Sequence, residues 1–452
     1  MKGISESLRL YFFSLFFQSE KKKDEELAIA HRSLIQGTSF DLPYREHHSP
    51  LIALKVAGRL LRWLFQQGKK KKPYMQFEGE RNGIAVFDAK EGAAEQRLPY
   101  LRFFADEAPA FFIAREHLGK EAGLAQRLQL AFWILLLTPL LLFQKRSKGN
   151  KALILNEWVQ GLFLFRAINE QRVEKLHSFC IYEKDQNLLA YWLKRHGVHV
   201  NKITADPPLA FYNRRILADS LSLCHPYQEE EVSCFPDIRT DEFEVWGPER
   251  ILDYIGQLSE RNDTYPYRLA FYSNGVWLRK EEGHPDPGFG NFRAEEEVLD
   301  LLGEWMKETD ETIRIYLHPK EKTDGETFDR AKAYYQEALG ERIALCQAAG
   351  RSASFFHEAE VGVGGFSGSM MERLFAGYKV LFYAFPLEGF PLQGSPIEAI
   401  APGSREAFLE RMKELLSRDG EAFFRKYDLD RYKCPEALKE GADRYRKGEA
   451  SR

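Results

Sequence analysis

The sequence predicts an α/β protein of two doubly wound domains, preceded by amphipathic helices. Three observations support this. The chain has 452 residues, more than one ordinary hydrophobic core serves. Its composition, 44% apolar and 29% charged, is that of a globular protein. From about residue 82 onward, short apolar runs alternate with helix-period segments over short connections, the signature of parallel sheets covered on both faces.

Residues 1–80 read as a basic amphipathic helical segment. The start, MKGISESLRLYFFSLFFQSEKKKDEE, has an apolar stretch interrupted by Arg9 and no small-residue cleavage site, so it does not read as a signal peptide. Leu51 to Gln67 places Lys55, Arg59 and Arg62 on one helical face among Leu, Ile, Val, Trp and Phe, and Lys69 to Lys72 follow. That is the composition of a basic interfacial helix. The most apolar run, Leu130 to Phe143, is 14 residues long and broken by Pro139. It falls short of the roughly 20 residues a spanning helix needs. Lys145, Arg146 and Lys148 follow it. Burial as core helices is one reading of these segments. Peripheral attachment to an anionic membrane surface is the preferred one, on the inner, cytoplasmic face. Charge supports it: residues 1–150 hold 24 Lys and Arg against 16 Asp and Glu, whereas the remainder holds 40 against 51.

Residues 81–260 form the first domain. Strands are expected at 83–87, 110–114, 152–155, 179–182, 198–203 and near 216–223, with helices at 159–175 and 187–196. Ligands collect at the carboxyl ends of such strands. The acids there are Asp88, Glu157, Glu183 and Asp185; each also reads as a helix cap or solvated loop acid. Glu157 ranks first because it follows an apolar run and opens a helix. Residues 236–266, rich in Asp, Glu and Pro, read as a linker with a helix near 248–260.

Residues 261–430 form the second domain, and 431–452 a tail. Strands are expected at 268–275, 312–320, 344–346, 361–365 and 379–383. Helices are expected at 293–308, 326–339, 352–358, 370–377 and 405–417. Three strand ends then present Ser273-Asn274-Gly275, His318-Pro319-Lys320 and Gly364-Gly365-Phe366-Ser367-Gly368-Ser369. The glycines let the backbone approach a ligand. Ser367 or Ser369 can cap the helix opening at Met370. The helix N-terminus suits a phosphate. Glu372, one turn in, suits a ribose.

Other classes fit poorly. There is no G-x-x-x-x-G-K-[ST] and no G-x-G-x-x-G after the first strand, which argues against a P-loop NTPase or a dinucleotide enzyme. The five cysteines include no C-x-x-C pair. Cys224 and Cys234 could pair, but buried free thiols and a reducing compartment are the reading. No metal-ligand cluster or cofactor motif stands out. Nucleic-acid binding is disfavoured because the basic residues adjoin apolar runs and the rear half is acidic.

The His-Pro at a strand end and the later Ser-containing helix start, set in two Rossmann-like domains, resemble the GT-B glycosyltransferases, especially bacterial sialyltransferase-like and surface-polysaccharide members. The likeness is fair over about 265–430 and architectural over 80–260. It implies a nucleotide-sugar donor, used as a substrate, with no metal. His318, beside Pro319, and the pair Ser367 and Ser369 would contact the donor phosphates, and Glu372 the ribose. Gly365, Gly368 and Lys320 would belong to the same site. The resemblance assigns no base; an acid of the first domain, Glu157 first, would deprotonate the acceptor hydroxyl if the reaction inverts, and a lipid-linked or envelope glycan would be the acceptor. Sialyltransferases of this shape carry an acid-acid-Gly motif in the first domain; here that triplet is Glu281-Glu282-Gly283, in the second. Alternatives are a polyol-phosphate transferase of the teichoic-acid type, a nucleotide-sugar epimerase, or a non-catalytic membrane-bound scaffold.

Overall fold

The computed structural model describes residues 25–36, 50–65, 72–77, 82–105, 107–117, 124, 127–128, 131–132, 134–135, 161, 163–165, 167–181, 183, 185–204, 215–233, 235–248, 264–283, 292–347, 352–385 and 392–446. The chain divides into two compact units, residues 1–205 with 209–246, and residues 206–208 with 247–452.

The described part of the first unit opens with α1 (Glu25–Gln36) and α2 (Pro50–Phe65). Its sheet comprises β1 (Tyr74–Gln76), β2 (Ile84–Asp88), β3 (Phe111–Ala114), β4 (Lys175–Ser178), β5 (His199–Ile203), β7 (Ser220–Leu223) and β9 (Glu242–Val245). The order is β1-β3-β2-β4-β5-β7-β9, parallel except for β1. A pair, β6 (Ile216–Leu217) and β8 (Ile238–Arg239), lies apart. The helices include α3 (Ala94–Phe104), α4 (Gln186–Arg195) and α5 (Tyr227–Ser233). One apolar cluster joins α1, α2, the helical residues of 161–170 and α4 to β2, β4 and β5; another seats Tyr100 and Leu101 of α3 with Val86 and Trp246. Removing these side chains from water drives the layering.

The second unit carries β10 (Tyr267–Tyr272), β11 (Ile313–Tyr316), β12 (Ile343–Cys346), β13 (Ala359–Gly364) and β14 (Lys379–Phe382). All five are parallel, in the order β12-β11-β10-β13-β14. The chain starts at the centre, winds out to β12, then returns to β13. The switch point therefore lies between β10 and β13, where open α/β sheets bind ligands. The helices are α6 (Val276–Glu281), α7 (Phe292–Glu308), α8 (Gly325–Leu339), α9 (Gly368–Phe375), α10 (Arg405–Ser417), α11 (Gly420–Lys426) and α12 (Glu436–Arg446). Arg373 of α9 is fully buried. Its guanidinium reaches the carbonyls of Phe356 and Ala359 at 2.7 and 2.5 Å and lies 5.0 Å from the Tyr378 ring. Gly362 makes room, since a Cβ there would lie 2.7 Å from Arg373 Cδ.

Both expected parallel α/β sheets are present. The differences are local. The pattern predicts a helix running to Lys175 and a strand at 179–182, yet the strand is Lys175–Ser178. Its polar residues are paired, Lys175 and His177 to Glu107 and His177 to Asn201, so the strand lacks the apolar run that periodicity looks for. The expected strand near 216–223 splits into β6 and β7. β8 and β9 occupy the expected linker, and β1 lies in the expected helical segment. α12 occupies the expected tail, and Cys434 N donates to Phe375 O at 2.7 Å. Four of the five cysteines, Cys180, Cys224, Cys346 and Cys434, are buried free thiols.

Candidate functional site

The second unit brings all three glycine- or histidine-bearing strand ends to one edge. After β10, Ser273 Oγ accepts from Gly275 N at 2.9 Å, a tight local turn. Gly275 sits at φ +63°, and α6 begins behind it. A Cβ on Gly275 would lie 3.4 Å from His318, at the end of the neighbouring β11. A Cβ on Gly365 would lie 2.3 Å from Asn274 Nδ2 and 3.0 Å from Tyr383 Oη, so a larger residue there would displace the Asn274 side chain.

His318 caps a short 3-10 turn, Pro319–Lys322. Its Nδ1 accepts from Lys320 N at 3.2 Å, which leaves the proton on Nε2. Burial, and then the charges of Arg279, Lys320 and Lys322, push its pKa down to about 4. The ring is therefore neutral near pH 7, with an N–H to offer. Lys320 Nζ lies 3.0 Å from Glu282 of the acid-acid-Gly triplet, and Glu281 pairs with Arg330.

Beneath these groups run two buried carboxyls. Glu321 accepts from His318 N at 2.6 Å and from the Trp277 indole at 2.5 Å. Tyr335 Oη lies 3.0 Å from Glu321 and 2.7 Å from Ser273 Oγ. Glu321 thereby ties the β10 turn to the β11 end. Burial raises its pKa. Glu295 of α7 takes the Tyr383 hydroxyl at 2.8 Å, and Asn274 Nδ2 lies 3.4 Å from the same hydroxyl.

The helix start differs from expectation in one respect. α9 opens at Gly368, two residues before Met370, with Ser367 at its N-cap position; the Ser367 side chain makes no capping bond. Glu372 is 1% exposed, one turn into α9. Periodicity alone did not single out Arg279, Glu295, Glu321, Tyr335 or Tyr383. The one available signal was that Glu321 follows His-Pro-Lys at N3, the place of a capping-box acid.

In the first unit, Asp88 at the end of β2 meets Arg97 at 2.5 Å, and Asp185 meets Arg115 at 2.8 Å. Burial raises the Glu183 pKa and lowers that of Lys202 to about 7; Lys202 Nζ lies 2.6 Å from Asn187 Oδ1. Glu91, Glu116 and His117 hold ligand-type atoms within 4.8 Å of one another, with His117 Nε2 bonded to Glu91 at 2.8 Å. Glu157 lies outside the described residues.

No protein-family model and no curated protein matches the chain. Among solved structures it is similar to S. aureus MnaA with UDP, at 12% identity and TM-score 0.45 over 80% of this chain and 94% of that one. It is similar to Acinetobacter baumannii MurG, at 11% identity and TM-score 0.38 over 81% and 100%. It is also similar to a Thermobaculum terrenum O-GlcNAc transferase, at 14% identity and TM-score 0.40 over 95% and 77%. These are distant likenesses, and the roles of individual residues rest on the side chains themselves.

Proposed function

We propose that the protein is a glycosyltransferase of the GT-B kind that takes a nucleotide-sugar as donor and a lipid-linked or envelope glycan as acceptor. The observation that supports it is the convergence of Ser273-Asn274-Gly275, His318 and Gly365 to Ser369 at the switch point of the second sheet. A nucleoside diphosphate suits that edge. Its phosphates would meet the N–H groups in the first turn of α9, unpaired within the helix, and the Nε2–H of His318. Arg279 and Lys320 would add positive charge. Ser367 and Ser369, at the mouth of α9, would donate hydroxyls to the same oxygens. Pro319 fixes the backbone that presents the ring.

As the glycosidic bond breaks, negative charge grows on the departing phosphate, and these preset donors stabilise it more than they stabilise the ground state. A carboxylate would take the acceptor's proton; Glu157 stays first choice on sequence grounds. Glu372 is buried, so a ribose contact through it would require a shift of α9.

The test is thermal-shift binding against CMP, UDP, GDP, dTDP, UDP-sugars and CDP-glycerol, on wild type and His318→Ala. A ligand at tenfold its Kd stabilises by about 1.4 kcal/mol. One nucleotide is expected to shift the wild type and not the variant. Absence of any shift, with the protein folded, would overturn the donor site and favour a scaffold.

A further inference from the structure

We propose that the first unit docks on an anionic lipid bilayer through a face formed by α2 and the helical residues of 124–135. Leu124, Leu128, Phe132 and Leu135 recur at helical spacing on one face, and all are 54% to 68% exposed. Ala131 and Ile134, on the adjoining face of the same stretch, are buried in the core. α2 repeats the arrangement. Ala57, Leu60 and Leu64 are buried in that cluster, whereas Leu54 and Phe65 point outward with Arg59 and Arg62. Each helix thus has one apolar face that the core uses and a second apolar strip left in water. An ordinary surface helix carries one. Arg127 Nη1 donates to Leu64 O at 2.7 Å, which holds the two helices together next to Phe65.

Charge selects the occupant. Arg59 and Arg62 flank the α2 strip, Lys69 to Lys72 follow α2 in sequence, and Lys145, Arg146 and Lys148 follow the apolar run. Six exposed apolar side chains edged by cations match a headgroup boundary, with the strips in the acyl region and the arginines at the phosphates. A nucleic acid would use the cations and leave the leucines in water. No described helix is long and apolar enough to cross a membrane. The inference is independent of the donor site, and its readout does not involve nucleotide.

The experiment is flotation of the full chain with phosphatidylcholine vesicles, with and without phosphatidylglycerol. The wild type is expected to float with the anionic vesicles and to be released by high salt. Leu128→Asn with Phe132→Asn should weaken binding at least tenfold, since both side chains leave the bilayer. Arg59→Ala with Arg62→Ala should weaken it about fivefold per arginine, on the anionic vesicles alone. Both pairs lie on the surface, and unchanged melting curves would show that each still folds. Wild type that floats with neither vesicle, or variants that float as well as wild type, would overturn the proposal. So would a wild-type dimer that Leu128→Asn with Phe132→Asn converts to a monomer without any vesicle binding, because the face would then belong to a second copy.

Discussion

Glu295 is fully buried on α7. Burial pushes its pKa up to about 8, against the pull of the Tyr383 hydroxyl bond. An unfolded glutamate titrates near 4.3. Between roughly that value and 8, the folded chain keeps a proton that the unfolded chain has released. The contribution is therefore full below the unfolded pKa and is lost as pH rises through the folded one. Glu295→Gln supplies the neutral shape without the proton. Urea melts from about pH 5 to 8 should show a falling stability in the wild type that this variant flattens, with the variant ahead by about 1–4 kcal/mol at the top of the range. An equal slope in both proteins would mean that Glu295 folds ionised. The residue also shows what the sequence hid. Ser273, Gly275, His318 and Gly365 were legible because they punctuate the ends of apolar runs and recur at three strand ends of one sheet. Glu295 stands in the run Glu295-Glu296-Glu297, which reads as a solvated helix face. Only packing onto the sheet distinguishes the first acid from the next two.

At the scale of elements, α9 and α10 offer a contrast. Both start after a serine in an extended conformation, Ser367 and Ser404. Ser404 Oγ accepts from Ala407 N at 3.2 Å, an ordinary cap, whereas Ser367 makes no such bond. Ser404→Ala should cost about 1 kcal/mol. Ser367→Ala should change stability by less than about 0.5 kcal/mol, yet weaken nucleotide binding in the thermal-shift assay. A stability loss at Ser367 equal to that at Ser404 would make it a structural cap. In the second sheet β10 and β11 were legible because their apolar residues cluster or alternate and Ser, Gly or Pro follows the strand. β4, at the centre of the first sheet, was not, because Lys-Leu-His-Ser carries no apolar run. The edge strand β9, Glu-Phe-Glu-Val, is largely exposed, and β1 and β8 are two or three residues long. Such strands exist through pairing with a neighbour, and no local pattern marks them.

At the scale of the molecule, the proposed donor-binding and lipid-binding roles fall in different units. Ser273, Asn274, Gly275, Arg279, His318, Gly365, Ser367 and Ser369 all lie in 247–452, as does the Glu321 and Tyr335 support beneath them. The exposed apolar strips lie in the other unit, which carries the basic part of the sequence. The second unit has its own five-stranded sheet, with Phe271, Ile315, Val363 and Leu381 buried within it. Its length falls within the range that a single core sustains. Residues 247–452 expressed alone are therefore expected to melt cooperatively, to show the nucleotide shift that His318→Ala removes, and to stay below the vesicles in flotation. A fragment that folds but binds no nucleotide would mean that the first unit completes the donor site. A fragment that binds nucleotide and also floats would move the lipid-binding face out of the first unit.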